Sequence, residues 1–291
     1  MLSEVETFLK SLNGTRVIYI PNRGNAGDSF IAHATYQLFD RMNLDYEIGS
    51  QQGNYPGATL ICAGGGNLIR PYTNMISFLK RNLNTWRQLV ILPHSVRDYA
   101  DTLGQLGANS FVFCREQPSF EFMKKAAPKA NIFLSHDLAF GCNFFETKRQ
   151  IALRPAGDIF NKVILSRNAK RLVRAIYYSV ANIRDPQVLN AVRTDIEKTD
   201  FQIPFPNIDL SQAFAADDMG PVSSLHATYW LMRFINRFQV IVTNRLHIGI
   251  MSAMLGREVS FYDNSYGKNR DVFTHSLARF KNVEWHTNLP S

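Results

Sequence analysis

The chain has 291 residues, 45% of them hydrophobic and 19% charged, a globular balance that excludes a disordered chain and leaves room for two domains. Lys+Arg number 32 against 24 Asp+Glu, a net charge of +8, which implies an anionic partner: nucleic acid, a phosphate ligand or an acidic membrane. Three scattered cysteines exclude a disulfide framework and a zinc ribbon, and no apolar run approaches the roughly 18 residues of a membrane helix; with no leader-like start, the protein reads as cytoplasmic.

In chain order, 16–20 (RVIYI) is a β-branched run closed by Pro21 and reads as a buried strand. A loop over 22–27 follows, and Asp28 is placed as the N-cap of a helix to Met42 with Phe30, Ile31, Ala34, Leu38 and Phe39 on one face. A second strand, 59–63, is closed by Gly64-Gly65-Gly66. Then come a helix over 75–83, a third strand over 88–92 ending at Pro93, a helix over 99–106, a fourth strand over 110–114, a helix over 119–126 and a fifth strand over 131–134. This alternation predicts a parallel, doubly wound sheet.

The pattern breaks over 140–158, which reads as a linker. A strand over 162–166 and a helix over 169–183 restart it, and 203–209 carries two prolines. A helix over 229–238, a strand over 239–243, a helix over 247–255 ended by Gly256 and a last strand over 258–262 complete it. Two α/β domains are expected, 1–150 and 151–291, with a ligand in the cleft between them beyond the carboxyl ends of the strands.

The loops after strands carry the candidate chemistry. Asn25 and Asp28 lie in a glycine-bearing loop before a helix, suited to a phosphate or carboxylate but equally to a tight capped turn. Gly64, Gly65 and Gly66 with Asn67 suggest close approach of a ligand or of another backbone. Arg245-Leu246-His247 is the strongest candidate, since Arg offers a planar fork for an anion and His can transfer protons near neutral pH. His94 and Ser95, Arg115 with Glu116, and Arg167 with Asn168 also follow strands. His136-Asp137 reads as a buried capping pair and Asp217-Asp218 as a solvated turn. No nucleophile elbow, kinase set or metal motif is present.

Together these pieces resemble the polysaccharide pyruvyl transferase family. The matching blocks, in order, are Gly24-Asn25-Ala26-Gly27-Asp28, the Gly64–Gly66 run, Arg115-Glu116 with Ser119, Asp137-Leu138-Ala139-Phe140, Arg245-Leu246-His247 and Tyr262 through Lys268. Ala26 and Leu138 depart from the family pattern, which often has Ile or Leu, and Pro, at these places. The resemblance implies two Rossmann-like domains with parallel sheets, arranged as in B-type glycosyltransferases, the first on the acceptor side and the second on the phosphoenolpyruvate side, with a last helix that could pack back on the first. It implies transfer of pyruvate from phosphoenolpyruvate onto a sugar as a ketal, with Arg245, Leu246 and His247 at the donor and Arg115 or Arg167 as a further arginine. Phosphoenolpyruvate is a co-substrate in this reading; no cofactor and no metal is expected.

Two rival readings stand beside it: a B-type glycosyltransferase using a nucleotide sugar, for which Glu258 is a poor candidate acid, and a non-enzymatic binder of nucleic acid or a membrane surface. The charge favours neither. From 148 to 198 there are eleven Lys/Arg and four Asp/Glu, so most of the excess lies in one stretch rather than over a nucleic-acid face. No nucleic acid is expected. That stretch suits an anionic donor and a lipid-diphosphate-linked glycan acceptor at an anionic inner membrane surface.

Overall fold

In the computed structural model, which describes residues 2–154, 187–195, 197–198, 203–216, 218–265 and 267–287, the chain divides into two compact units. The first comprises Met1–Arg23 and Ala34–Cys142, the second Gly24–His33 and Asn143–Ser291. One helix, α2 (Ala26–Met42), is shared between them: its first turns belong to the second unit and the rest to the first.

The first unit is built on a parallel sheet. Its strands are β1 (Val17–Ile20), β2 (Tyr46–Ile48), β3 (Thr59–Cys62), β4 (Gly65–Leu68), β5 (Gln88–Val96), β6 (Ser110–Cys114) and β7 (Asn131–Leu134). They run in the order β2-β1-β3-β5-β6-β7, with β4 paired to β5. Strands covered on both faces read as unbroken apolar runs, and Leu60, Ile61, Cys62 and Leu89 to Leu92 are fully buried accordingly. The helices α1 (Ser3–Lys10), α3 (Asn74–Asn82), α4 (Ala100–Leu103) and α5 (Gln117–Ala126) accompany this sheet. Their apolar faces supply Phe78, Leu79 and Met123 to its core. Because β2 and β3 lie on opposite sides of β1, the strand order reverses there, and polar loops gather at the carboxyl ends of β1 and β3.

Two readings of the sequence are corrected here. The third strand does not end at Pro93 but continues to Val96, so His94 and Ser95 lie in the strand rather than in a loop after it. Pro93 is tolerated because the ladder to β6 shifts register between Ile91 and His94, where a missing N–H costs little. Beyond that shift β5 acquires a new neighbour, β4, so Gly65, Gly66 and Asn67 are strand residues and not a loop.

The second unit holds another parallel sheet, with strands β8 (Val188–Asn190), β9 (Val240–Thr243), β10 (Glu258–Tyr262) and β11 (Val283–His286) in the order β11-β10-β9-β8. Its helices among the described residues are α6 (Phe144–Ala152), α7 (Leu210–Ala213), α8 (Pro221–Ile235), α9 (Leu246–Met254) and α10 (Lys268–His275), besides the start of α2. The expected last strand, β10, is followed by α10 and β11. The expected linker over 140–158 instead contains a 3-10 turn at Leu138–Gly141 and α6. Side-chain caps start both: Asp137 accepts from Ala139 N at 2.9 Å, as expected of a buried capping residue, and Asn143 accepts from Glu146 N at 3.0 Å. The expected strand over 162–166, the helix over 169–183 and Arg167 with Asn168 lie outside the described residues.

The first turns of α2 pack on α6: Phe30 stacks on Phe144 with ring centroids 6.0 Å apart, and His33 Nε2 donates to Thr147 Oγ1 at 2.9 Å. Thr147 Oγ1 in turn donates to the Asn143 carbonyl at 3.0 Å, which fixes the His33 proton on Nε2. Burial pushes the His33 pKa down to about 4, against an opposing pull from the Glu146 charge. The folded state therefore binds fewer protons than the unfolded one between an ordinary histidine value and about 4. His33 leaves stability intact above the ordinary value and erodes it as pH falls through that window. The full loss is expected to be on the order of 3 kcal/mol. Urea unfolding at pH 7 and pH 4.5 should show a smaller acid loss for His33→Gln than for the native chain; equal losses would contradict the assignment.

Candidate functional site

At the carboxyl end of β1, Asn22 ties neighbouring loops of the first unit together. Its amide donates to the Gly64 carbonyl at 2.8 Å, and its Oδ1 accepts from Gln51 Nε2 and Asn67 Nδ2, both at 3.0 Å. His94, fully buried, accepts from Asn67 N at 3.1 Å through Nε2, so its Nδ1 carries the proton and donates to the Ala63 carbonyl at 3.2 Å. Gly64, Asn67 and His94 are thus brought into one neutral amide–imidazole network.

Two glycines of the run have a structural requirement. A Cβ at Gly64 would lie 2.6 Å from the Pro93 carbonyl oxygen, and Gly65 takes φ +139°, a left-handed backbone. The close approach at Gly64 is to the backbone of β5.

Arg115 is 1% exposed, and its Nη1 is bonded to Asp137 Oδ2 at 2.6 Å, while its Nε donates to Ser95 Oγ at 2.9 Å. Arg115 and Ser95, expected to meet substrate, are therefore packed inside the first unit with their polar atoms on each other and on Asp137. The neighbouring Glu116 caps α5 by accepting from Ser119 N at 2.9 Å, takes the Ser119 hydroxyl, and is held by Arg97 Nη1 at 3.0 Å. Burial pushes the Cys62 and Cys114 thiols up, which removes both as nucleophiles at neutral pH.

In the second unit, the loop before α2 forms a reciprocal cap. Asn25, not Asp28, is the N-cap: its Oδ1 accepts from Gly27 N at 2.7 Å. Asp28 sits one turn in and reaches back to accept from Asn25 N at 2.8 Å. The Asp28 carboxylate fills the space a side chain at Gly24 would need, since a Cβ there would collide with its Oδ2. Asp218, in the expected solvated turn, accepts from Gly220 N and the Ser223 hydroxyl, both at 2.8 Å.

His247 rests on the same helix end. It lies in the first turn of α9, and its Nδ1 occupies the space a Cβ at Gly27 would need. Residues 25–28 and 245–247, two motif blocks far apart in the chain, are thereby joined. Leu246 is buried and packs inward.

Arg245 precedes α9 and is 4% exposed. Its Nε and Nη2 grip Asp209 at 3.0 and 2.5 Å, and its Nη1 lies 2.8 Å from Asp195. Asp195 also takes the fork of Arg193 at 2.9 and 3.2 Å, and Arg193 Nη1 reaches Glu197 at 2.6 Å. Lys268, at the start of α10, has its Nζ 3.4 Å from the same Glu197 oxygen. Burial pushes the Asp195 carboxyl up, but hydrogen bonds from Arg193 and the charges of Arg245 and Arg193 outweigh it and hold the group below the ordinary carboxylate range.

The expected site residues thus fall into two groups. Gly64, Gly65, Gly66, Asn67, His94, Ser95 and Arg115 are in the first unit; Asn25, Asp28, Arg245, Leu246, His247 and Lys268 are in the second. Sequence reasoning marked Asn22 only as the start of its loop, and missed Arg193, Asp195, Glu197 and Asp209. The alternation of charge over 193–197, directly after the apolar β8, is the signal that could have flagged three of them. Among the described residues no group of three or more His, Cys, Asp or Glu is placed to hold a metal ion, and no helix is long and apolar enough to cross a membrane.

Comparison with known proteins adds three findings. The family model described as "Polysaccharide pyruvyl transferase" matches residues 25–266, from the Asn25 cap past the Arg-Leu-His turn. A Bacillus subtilis protein named "Putative pyruvyl transferase EpsO" is 23% identical, over 89% of this chain and 84% of its own length. A crystal structure of a functionally uncharacterized Klebsiella pneumoniae protein superposes with a TM-score of 0.77 at 28% identity, covering 98% of each chain.

Proposed function

The chain belongs to the polysaccharide pyruvyl transferase family, and from that premise we propose that it moves a pyruvyl group from phosphoenolpyruvate onto a sugar, closing a pyruvate ketal and releasing phosphate. The acceptor in this reading is a polysaccharide or its lipid-diphosphate-linked precursor, met at the inner face of an anionic membrane to which the +8 chain is drawn. The observation that carries the reading is the seating of His247 on Gly27, which joins two of the family's motif blocks at one helix end.

The chemistry needs one proton at carbon and one nucleophile at a time. His247 delivers a proton to the methylene carbon of the donor, creating a methyl group and oxocarbenium character at C2. One sugar hydroxyl adds to C2 and gives up its proton. A second hydroxyl then displaces phosphate from C2 and closes the ring, its proton leaving with the phosphate. Of the two protons released by the hydroxyls, one replaces that spent on carbon and one departs with phosphate. Arg245 and Lys268 face the donor's carboxylate and phosphate in this scheme, and the N-terminus of α2 adds positive potential.

The test is acceptor-dependent release of inorganic phosphate from phosphoenolpyruvate by the full chain across a panel of glycans. Release is expected with at least one acceptor. Transfer only from a nucleotide sugar, or salt-sensitive nucleic-acid binding without turnover, would overturn the reading.

A further inference from the structure

We propose that Asp195 is a positioning residue for the donor, a shared carboxylate that sets the orientation of Arg245 and couples it to Lys268. The inference rests on the functional reading above, in which those two cations meet phosphoenolpyruvate.

Asp195 bridges two guanidinium groups. One oxygen lies 2.8 Å from Arg245 Nη1, and both oxygens take the Arg193 fork. Arg193 continues the chain to Glu197, whose Oε2 lies 3.4 Å from Lys268 Nζ. Arg193 is also anchored at its backbone, where its N–H donates to Asn244 Oδ1 at 2.9 Å, one residue before Arg245. The strand ends are tied as well, since Asn269 Nδ2 donates to the Asn244 carbonyl at 2.6 Å and the Tyr262 carbonyl at 3.0 Å.

Stability does not account for such a network. Replacing a buried ion cluster by apolar groups is often neutral or stabilising, so its use lies in fixing geometry. Asp209 alone grips one edge of the Arg245 fork; the bond from Asp195 removes the remaining freedom at Nη1. Asp195 is also the carboxylate nearest solvent, with its side chain 26% exposed against 7% for Asp209 and 8% for Glu197. A donor arriving from solvent therefore meets the Asp195 side of the cluster.

The competing effect has the opposite sign. A carboxylate beside an anion repels it, so if Asp195 merely offset charge its removal would tighten donor binding.

The experiment is calorimetric titration of the full chain with phosphoenolpyruvate, for the native protein, Asp195→Asn, Arg245→Lys and the double variant, each checked for native-like melting. Asp195→Asn is expected to raise Kd about tenfold, the effect of one charge-assisted anchor. The double variant is expected to bind within about twofold of Arg245→Lys, because Asp195 acts through Arg245. An unchanged or tighter Kd, or losses that multiply in the double variant, would overturn the proposal. Should Asp195→Asn not fold, Arg193→Lys, which keeps the charge and removes the fork, is expected to raise the same constant several-fold, and no effect there would equally overturn it. If the native chain does not bind phosphoenolpyruvate, the functional reading itself fails, an outcome distinct from a native chain that binds beside a variant that binds as well.

Discussion

Replacing His247 by asparagine is expected to lower kcat for phosphoenolpyruvate-dependent phosphate release by about two to four orders of magnitude, the usual worth of a general acid. Asparagine keeps polarity and bulk against Gly27, and the His247 ring is only half-buried, so the fold is expected to survive. A group that acts only on the transferred proton takes its toll on kcat and leaves the KM for the donor near its native value. The measurement is steady-state phosphate release at saturating donor, with thermal unfolding of both proteins alongside. Native turnover in the variant would remove His247 from the proton transfer, whereas a raised KM at constant kcat would recast it as a binding group.

The second large effect concerns stability. Asp137→Ala should cost about 3–5 kcal/mol, because it strands the Arg115 guanidinium in the interior without its counter-charge. Arg115 and Asp137 are each 1% exposed at the side chain, so neither can reach water without opening the end of the first sheet. Asp137 also caps the 3-10 turn at Leu138–Gly141, which adds to the loss. The midpoint of urea unfolding reads the effect. The paired replacement Arg115→Met with Asp137→Leu should recover much of it, since it removes both charges together. A loss below about 1 kcal/mol for Asp137→Ala would mean that water enters to solvate Arg115.

How much of this was legible in the sequence follows from burial. Central parallel strands are covered on both faces, so β1, β3, β6 and β9 stand out as unbroken β-branched or apolar runs. β4, which is Gly-Gly-Asn-Leu, has no such signature, because it exists only through its ladder to the second half of β5. β11 is hidden for a similar reason, since Glu284 and His286 interrupt its apolar residues. The start of α2 is ambiguous in the sequence because Asn and Asp are comparable N-caps, and only the direction of the hydrogen bonds separates Asn25 from Asp28.

The site was legible as motifs and not as partners. Arg245-Leu246-His247 reads as an anion fork beside a histidine, but the carboxylates that take the fork come from residues 195 and 209. The stretch that carries most of the positive excess likewise contains Arg193, Asp195 and Glu197, which neutralise one another locally. Arg115 shows the same limit from the other side, since nothing in the spacing of residues 95, 115 and 137 announces that they meet.

The sharing of α2 between the two units bears on how this chain can be cut. A fragment starting at residue 143 would carry the Arg-Leu-His turn but lack Gly27, the surface on which the imidazole lies, and the Phe30 ring that stacks on Phe144. A fragment ending at residue 142 would keep α2 but leave its first turns without Phe144 and Thr147. The second unit is discontinuous in sequence, so its short first segment, Gly24–His33, is synthesised more than a hundred residues before the rest, Asn143–Ser291. During synthesis the opening turns of α2 must wait for α6 before their contacts form, so this chain is not a tandem of two separable modules that could be exchanged one for one with those of a relative.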